Sequence, residues 1–245
     1  MKKLIKKKGI VITSRDYKES ARMLTILTPD GLEQTILRGA NKINSKNKSF
    51  AIAPVEVEYI ATTPSPLSTF TEGFILSNYT QVKMDTEKSL LFSGIAEKVL
   101  MFAENIDNKT QFYDFIQAIL QQLEITHHPH VVLNLFEIKL LYLLGISPIL
   151  NQCMRCKNIE NDYAFSVFFG GTICSSCASR VGYQLDVAET KIWKYLYLIK
   201  MEKVDEVFLE LIAKSQVSLD ETIDQYYERY MDFTSKAKQI IKKVS

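Results

Sequence analysis

The chain has 245 residues, of which 47% are hydrophobic and 24% are charged. This length suits one large domain or two modest ones, and the composition excludes wholesale disorder. The whole chain carries 30 Lys and Arg against 28 Asp and Glu, but residues 1–50 carry twelve basic and four acidic side chains. A basic N-terminal region on a more acidic remainder indicates a polyanionic partner. A lysine-rich, merely solvated face is the alternative.

The first 77 residues contain five short strand-like runs separated by turn residues. Pro29-Asp30-Gly31 predicts a tight turn between the second and third runs, and residues 55–60 alternate with a period of two. The runs are Gly9–Thr13, Arg22–Leu27, Glu33–Leu37, Pro54–Ala61 and Leu67–Leu76. Five strands in so short a segment predict a small barrel of the OB-fold type.

After residue 80 the apolar period becomes helical. Asp85 is a suitable N-cap for a helix to about Glu104, and Pro129 suits the first turn of another that stops at Gly145. Further helices are predicted around Phe112–Leu123, from Asp186 to Lys200 with a capping box to Glu189, and from Ser218 to about Lys242 with a capping box to Glu221. The predicted fold is therefore α+β: a five-stranded OB-like barrel over residues 1–80, followed by a helical domain over residues 81–245.

Four cysteines form the most specific motif of the chain. Cys153 and Cys156 make one Cys-x-x-Cys pair, Cys174 and Cys177 make a second, and no other cysteine is present. Each pair can present two thiolates from a tight turn, and four thiolates complete the closed tetrahedral shell of one structural zinc ion. This predicts a zinc-binding insert at about residues 150–180. Buried free thiols or a redox pair are the competing interpretations.

Basic side chains recur around the predicted first turn and after the third strand. In an OB-fold these positions flank the strands across which nucleic acid lies, so they are candidate phosphate contacts. The candidates are Arg15, Lys18, Arg22, Arg38, Lys42, Lys46 and Lys48. Residues 41–49, rich in Asn, Lys and Ser, are expected to be a mobile loop. Tyr17 and Phe50 could stack on bases or simply pack, and the lysines of residues 2–8 could be a solvated strand face.

Several of these segments, in this order, resemble the RecO family. The run from Lys8 to Arg22 is similar to the family's opening strand and its Arg-Asp-Tyr, Glu-Ser loop, and residues 37–40 (Leu-Arg-Gly-Ala) resemble its Arg-Gly-Ala turn. Phe136–Leu141 with the Gly-Ile-Ser-Pro of residues 145–148 is similar to the family's central helix and the turn after it. The two cysteine pairs are similar to those of its zinc-carrying members.

The resemblance implies a role in recombinational DNA repair. RecO-like proteins bind single- and double-stranded DNA, anneal complementary strands and act with RecR. They help RecA load onto DNA coated by single-stranded-DNA-binding protein. It also implies a cytoplasmic, nucleoid-associated protein that is not an enzyme, which agrees with the absence of a recognisable secretory signal or membrane span in the sequence.

Three other functions remain open from the sequence: a nuclease, a zinc-ribbon regulator and an adaptor that only holds other proteins. Glu56 and Glu58, two apart on a strand, could hold a catalytic metal in a nuclease, although the solvent face of a half-buried strand is the simpler interpretation. The cysteine motif could belong to a zinc-ribbon regulator that binds nucleic acid through the metal lobe itself. His127, His128 and His130 could ligate metal, but they fall at a polar turn between two helices, where surface histidines are expected.

Overall fold

The computed structural model describes residues 3–63, 68–159 and 162–244. The chain forms two compact units, Met1–Ile125 and Thr126–Ser245. The first contains the five long strands and the first three helices. The second contains a small hairpin and six further helices. No helix within the described ranges is both long and apolar enough to span a bilayer.

The five strands close into a barrel. They are β1 (Lys3–Tyr17), β2 (Ala21–Thr28), β3 (Gly31–Leu37), β4 (Val55–Thr63) and β5 (Ser68–Ser77). Around the barrel the order is β1-β2-β3-β5-β4, and β4 pairs with β1 to complete the ring. All pairs are antiparallel except β3 with β5. The predicted α+β class and the five-stranded OB-like barrel are confirmed, and β1 is longer than its apolar run indicated.

Alternating apolar side chains fill the barrel. Val11, Leu24 and Val57 are fully buried, and the ring of Tyr59 stacks on that of Phe70 with centroids 5.1 Å apart. Opposite Tyr59 lies Gly73 on β5, where a Cβ atom would approach a carbon of the Phe70 ring to 2.6 Å. The stacked pair therefore depends on a residue without a side chain at this position.

Three helices complete the first unit: α1 (Thr80–Met84), α2 (Thr86–Phe102) and α3 (Lys109–Ile125). The Asp85 carboxylate accepts a hydrogen bond of 3.0 Å from the Lys88 N–H, so the predicted N-cap is confirmed. Because these helices belong to the same compact unit as the barrel, a separate barrel domain that ends near residue 80 stays a prediction.

The second unit contains α4 (Pro129–Leu143), the hairpin β6 (Tyr163–Ser166) and β7 (Gly171–Cys174), α5 (Ser175–Val181), α6 (Val187–Leu198), α7 (Glu206–Lys214), α8 (Asp220–Met231) and α9 (Lys236–Val244). The capping box of Asp186 and Glu189 is present in full, with both reciprocal hydrogen bonds formed. Helices α5 and α7 were not foreseen from the sequence.

The C-terminal helix differs from its prediction. Helix α8 begins at Asp220, after Leu219, which makes no side-chain cap, so the predicted capping box of Ser218 is wrong. The continuous helix to Lys242 is also wrong, because Asp232 adopts a left-handed conformation with φ 50° and ends α8. The Ser235 hydroxyl then accepts a hydrogen bond from the Lys238 N–H near the start of α9.

A buried ion pair joins α9 to α4. Lys238 is 4% exposed, and its Nζ lies 2.8 Å from a carboxylate oxygen of Glu137, which is fully buried. Asp224 and Asp220 approach the same ammonium to 2.9 and 3.5 Å. Burial alone would lower the pKa of Lys238, but the three carboxylates outweigh it and raise the pKa, so the lysine is charged throughout the neutral range.

We predict that Lys238→Ala destabilises the protein by about 3–5 kcal/mol, because it leaves the charge of Glu137 buried without its ammonium partner. Urea denaturation followed by circular dichroism measures the loss. The control is Lys214→Ala, which removes an exposed i,i+4 pair with Glu210 and is expected to cost less than about 0.5 kcal/mol. Equal effects of the two substitutions would contradict the prediction.

Candidate nucleic-acid interface and candidate metal centre

The topology of the barrel brings the predicted basic residues to one of its ends. The β1–β2 turn follows Tyr17, and β3 runs antiparallel to β2, so Leu37 at the end of β3 lies opposite Arg22 at the start of β2. The predicted basic residues therefore surround a single end of the barrel, and we call this set of residues the basic surface. It consists of Arg15, Lys18, Arg22, Arg38, Lys42, Lys46 and Lys48.

The segment after β3 is held against this end by hydrogen bonds. The Asn41 N–H donates to the Ser20 carbonyl at 3.2 Å, and the Asn41 side chain donates to the Asp16 carboxylate at 3.1 Å. Residues Lys46–Ala51 form a 3-10 helix, and the Asn47 amide donates to the Arg38 carbonyl at 3.0 Å. Asn and Ser side chains satisfy the backbone groups of this segment locally. Its mobility stays a prediction.

Four members of the basic surface have no acidic partner. Arg15, Arg38, Lys42 and Lys46 are exposed, and no carboxylate of the described residues forms an ion pair with them. Lys18, also exposed, sits in a left-handed turn conformation with its ammonium 5.4 Å from the centre of the Tyr17 ring. This leaves several adjacent positive charges uncompensated.

Arg22 and Lys48 are partly engaged within the protein. The Arg22 guanidinium donates to the Ser14 hydroxyl at 2.6 Å and pairs with the Asp16 carboxylate at 3.1 Å. The Lys48 ammonium donates to the Ile43 carbonyl at 2.9 Å. Phe50 packs against Phe70 of the barrel core, with ring centroids 5.1 Å apart, so it has a packing role.

The lysines of the first strand differ from the basic surface, because acids on the neighbouring strand β4 and on β3 neutralise them. Lys6 pairs with Glu58 at 2.8 Å, Lys8 pairs with Glu56 at 2.9 Å, and Lys7 pairs with Glu33. The sequence carries a signal for this, since a Lys-Lys-Lys run and a Val-Glu-Val-Glu run are complementary when their strands are paired. Lys2 lies outside the described residues.

The Glu56 carboxylate is enclosed, contrary to the expectation that it lies on a solvent face. Its side chain is 2% exposed. Besides the ion pair with Lys8, it accepts hydrogen bonds from the Tyr113 hydroxyl at 2.8 Å and from the Gln117 amide at 2.5 Å. Burial and the neighbouring Glu56 charge raise the pKa of Tyr113, which keeps that hydroxyl a donor. The pair Glu56 and Glu58, each bound to a lysine, does not present two solvent-facing carboxylates to a catalytic metal.

The four cysteine thiols converge in the second unit. All four Sγ atoms lie within 4.8 Å of one another, and Sγ of Cys156 is 3.6 Å from Sγ of Cys174. In a tetrahedral site with Zn–S bonds of roughly 2.3 Å the sulfur atoms are roughly 3.8 Å apart, so the cluster has the dimensions of a four-thiolate metal centre. Cys153, Cys174 and Cys177 are buried and Cys156 is exposed.

The local backbone explains why the thiols meet. Lys157 adopts a left-handed conformation with φ 63° and its N–H donates to the Cys153 carbonyl, which closes a tight turn around the first pair. Strands β6 and β7 form a hairpin that returns the chain to the second pair. Gly171 begins β7, and a Cβ atom there would lie 2.2 Å from the carbonyl oxygen of Ile149. Only glycine allows this close approach.

The thiols differ in their tendency to ionise. Burial opposes ionisation of Cys153, but backbone N–H groups of Cys156, Cys174 and Arg155 hydrogen-bond its sulfur and lower its pKa to about 6. Burial and the neighbouring thiols raise the pKa of Cys177 to about 12. One thiolate is therefore available at neutral pH, and a bound cation would favour ionisation of the remaining thiols.

The histidines are not part of either site. His127 and His130 are exposed beside the start of α4, and the His127 N–H donates to the Glu206 carboxylate at 2.8 Å. Within the described residues the four cysteines form the one group with the spacing of a metal site.

Comparison with known proteins identifies the chain. Residues 1–79 match the family model described as recombination protein O N terminal, and residues 85–239 match the one described as recombination protein O C terminal. The chain belongs to the RecO family. The RecO resemblance predicted from the sequence motifs is thus confirmed, and the first family segment ends just after the last strand of the barrel.

Curated relatives carry the name DNA repair protein RecO. That of Bacillus subtilis (strain 168) is 27% identical over 97% of this chain and 94% of its own length. That of Shouchella clausii (strain KSM-K16) is 26% identical over 97% and 94%, and that of Listeria monocytogenes serotype 4b (strain CLIP80459) is 21% identical over 96% and 93%. The similarity to RecO proteins therefore extends over both units of the chain.

We predict that, in the metal-free protein, the first thiolate forms near pH 6 and belongs to Cys153. The pKa of this thiol is depressed, so its thiolate is present above about pH 6 and is protonated below it. A pH titration of thiolate ultraviolet absorbance measures this step. Cys153→Ser should remove it and Cys177→Ser should leave it; a first step near pH 8 or above in the parent protein would contradict the prediction.

Proposed function

We propose that this chain is a non-enzymatic recombination mediator that binds single- and double-stranded DNA through the basic surface. In this proposal it anneals complementary strands and, with RecR, helps load RecA onto DNA coated by single-stranded-DNA-binding protein. Membership of the RecO family supports the role in repair, and the basic surface supports DNA as the ligand. A cytoplasmic, nucleoid-associated location follows from the same proposal.

The observation that carries DNA binding is the uncompensated charge at one end of the barrel. Elsewhere on the barrel Lys6, Lys7 and Lys8 each meet an acid, whereas Arg15, Arg38, Lys42 and Lys46 do not. Exposed, unpaired cations repel one another unless a polyanion neutralises them, and DNA phosphates do so with release of counterions. The expected binding is tight at low salt and largely independent of sequence.

Annealing fits a surface of this kind. Two complementary strands repel each other through their phosphates, and a protein that neutralises phosphates without covering both base edges lowers that repulsion. The long side chains Arg38, Lys42 and Lys46 can contact phosphates while leaving bases free to pair. No chemical step on DNA is needed for this activity, so no catalytic residue is assigned.

We predict that Arg15→Ala/Arg38→Ala weakens binding of single-stranded DNA and lowers its dependence on salt. The slope of log affinity against log salt should fall by about 1.4, since each lost phosphate contact contributes about 0.7 on single strands. Fluorescence anisotropy of a labelled oligonucleotide across a salt series measures both quantities.

The matched control is Lys6→Ala/Lys7→Ala, which removes the same charge from lysines already paired with Glu58 and Glu33. We expect its affinity and salt slope to stay close to those of the parent. Equal losses in the two double variants would show that net charge, and not the basic surface, determines binding. No binding at low salt would overturn the DNA-binding proposal.

For the cysteine cluster we propose one structural zinc ion held by Cys153, Cys156, Cys174 and Cys177. Four thiolates leave no position for a reactive water, so the ion would stabilise the lobe around β6 and β7 without catalysing a reaction. Three of the four thiols are buried together, and the sulfur separations fit such a shell. Thiols lose their protons when they bind a metal ion, and buried thiols that lie this close together are typical of a metal centre.

We predict that the purified protein contains one zinc ion per chain. A chelator should remove this ion and lower the melting temperature of the protein. Elemental analysis and thermal denaturation with and without a chelator measure these properties. Cys174→Ser should abolish zinc binding yet leave the affinity for single-stranded DNA within about twofold, because the basic surface belongs to the other unit. A zinc-ribbon regulator instead requires DNA binding to disappear with the zinc, and that result would favour the rival function.

A further inference from the structure

A deep cleft opens at the basic end of the barrel, within the first unit. Its volume is about 970 Å³, and the end of β1, the segment after β3 and one face of α2 form its walls. This is at the upper end of the range for ligand pockets, roughly 300–1,000 Å³. Arg22 and Lys48 line the cleft and also belong to the basic surface, so the two are continuous.

One wall of the cleft is a face of α2 that combines small residues with apolar ones. Ser89, Ser93 and Ala96 follow one another on the same face of α2, and Phe92 and Leu100 lie beside them. Ser93 is exposed, and its hydroxyl donates to the Ser89 carbonyl one turn earlier. A larger side chain at position 93 would fill part of the cleft, and serine leaves that space open. A flat apolar group of a ligand can lie against this face without displacing protein atoms.

The barrel side of the cleft carries both signs of charge beside the apolar side chains of Ile12, Ala51 and Ile52. Arg22 and Asp16 contribute an arginine and a carboxylate that are paired with each other, and Asn41 contributes an amide. Glu97 of α2 adds a second carboxylate to the lining, and Lys48 adds a second cation. The cleft interior is therefore close to neutral, with both donors and acceptors, although the surface around its mouth is basic.

We propose that this cleft takes up an unpaired nucleobase of single-stranded DNA while the adjoining phosphates lie on the basic surface. A nucleobase is flat and apolar on its faces and carries donors and acceptors on its edge, and the cleft offers both apolar side chains and polar groups to contact them. Carboxylates accept hydrogen bonds from base amino groups, and Arg and amide side chains contact the acceptors of the edge. In a duplex these edges are already paired, so the cleft favours single strands.

The lining argues against an acidic peptide as the occupant. Asp16 and Glu97 offset the charges of Arg22 and Lys48, so the cleft interior gives a peptide rich in Asp or Glu no net electrostatic attraction. A nucleobase is neutral, and its negative phosphates remain outside, beside Arg38, Lys42 and Lys46. The nearly neutral cleft therefore suits the neutral base of a nucleotide, and the basic surface suits its negative phosphate.

The proposal rests on DNA binding by the basic surface, and the test separates the two. Anisotropy titrations use labelled oligodeoxycytidine, the same oligomer with abasic sugars at alternate positions, and a duplex. The abasic oligomer keeps every phosphate but lacks half of the bases. We expect the parent protein to bind it about tenfold more weakly, in line with the stacking contributions measured for single-strand-binding proteins.

The variant that tests the cleft is Ser93→Trp, which fills it from the α2 wall. We expect it to bind oligodeoxycytidine about tenfold more weakly than the parent, to lose the distinction between intact and abasic oligomers, and to bind duplex as the parent does. Ser93→Ala and Ser93→Leu should give graded effects in order of volume. The matched control is Met101→Trp, an exposed position of the same helix that does not line the cleft.

The outcomes are distinct. Binding of all three DNAs with unchanged affinity in Ser93→Trp overturns the nucleobase proposal, leaves the basic surface intact and points to a peptide or small ligand for the cleft. Binding of no DNA by the parent protein overturns both proposals. If Ser93→Trp loses the same affinity for single strands and for duplex, with an unchanged melting temperature, the tryptophan obstructs DNA binding in general. That result also overturns base recognition. The graded Ser93 series guards against a folding defect in the largest variant.

Discussion

Closure of the barrel by β1 is the constraint on which the first unit depends. This one strand pairs with β4 from Lys3 to Val11 and with β2 from Ile10 to Tyr17, and the register shift between Val11 and Thr13 lets it turn from one neighbour to the other. Because β3 runs antiparallel to β2 within this ring, the β1–β2 turn and the end of β3 lie at the same end. The basic surface and the cleft beside α2 both follow from that placement.

Buried charges reinforce this arrangement in different ways in the two units. Glu56 is enclosed at the barrel by a lysine, a tyrosine and a glutamine, and Glu137 is enclosed by Lys238 from the last helix. Each carboxylate gains its partners only when distant segments are correctly placed, so a wrong packing leaves a charge buried and uncompensated. Such pairs contribute to the uniqueness of the fold at least as much as to its stability.

The functional proposal depends on the difference between the neutralised lysines of the barrel wall and the exposed cations of the basic surface. Lysines that belong to the wall of the barrel are neutralised across strands, whereas those around its basic end are exposed to solvent. The cysteine lobe lies in the other unit and is built from two turns and a hairpin, with Gly171 against the Ile149 backbone. The proposed structural metal and the proposed DNA surface therefore belong to different units of the chain.

The sequence by itself determined the α+β class, the five strands, the capping of Asp85 and Asp186, the cysteine motif and the RecO family, because alternation, capping and short ligand spacing are local properties. It did not determine the break after Asp232 or the hydrogen bonds of the 41–49 segment, since both depend on which side chains can reach the backbone. Burial of Glu56, the pairing of Lys7 with Glu33 and the cleft against α2 were decided only by the tertiary structure. These features arise between segments far apart in the chain, where no local pattern encodes the distance between two side chains.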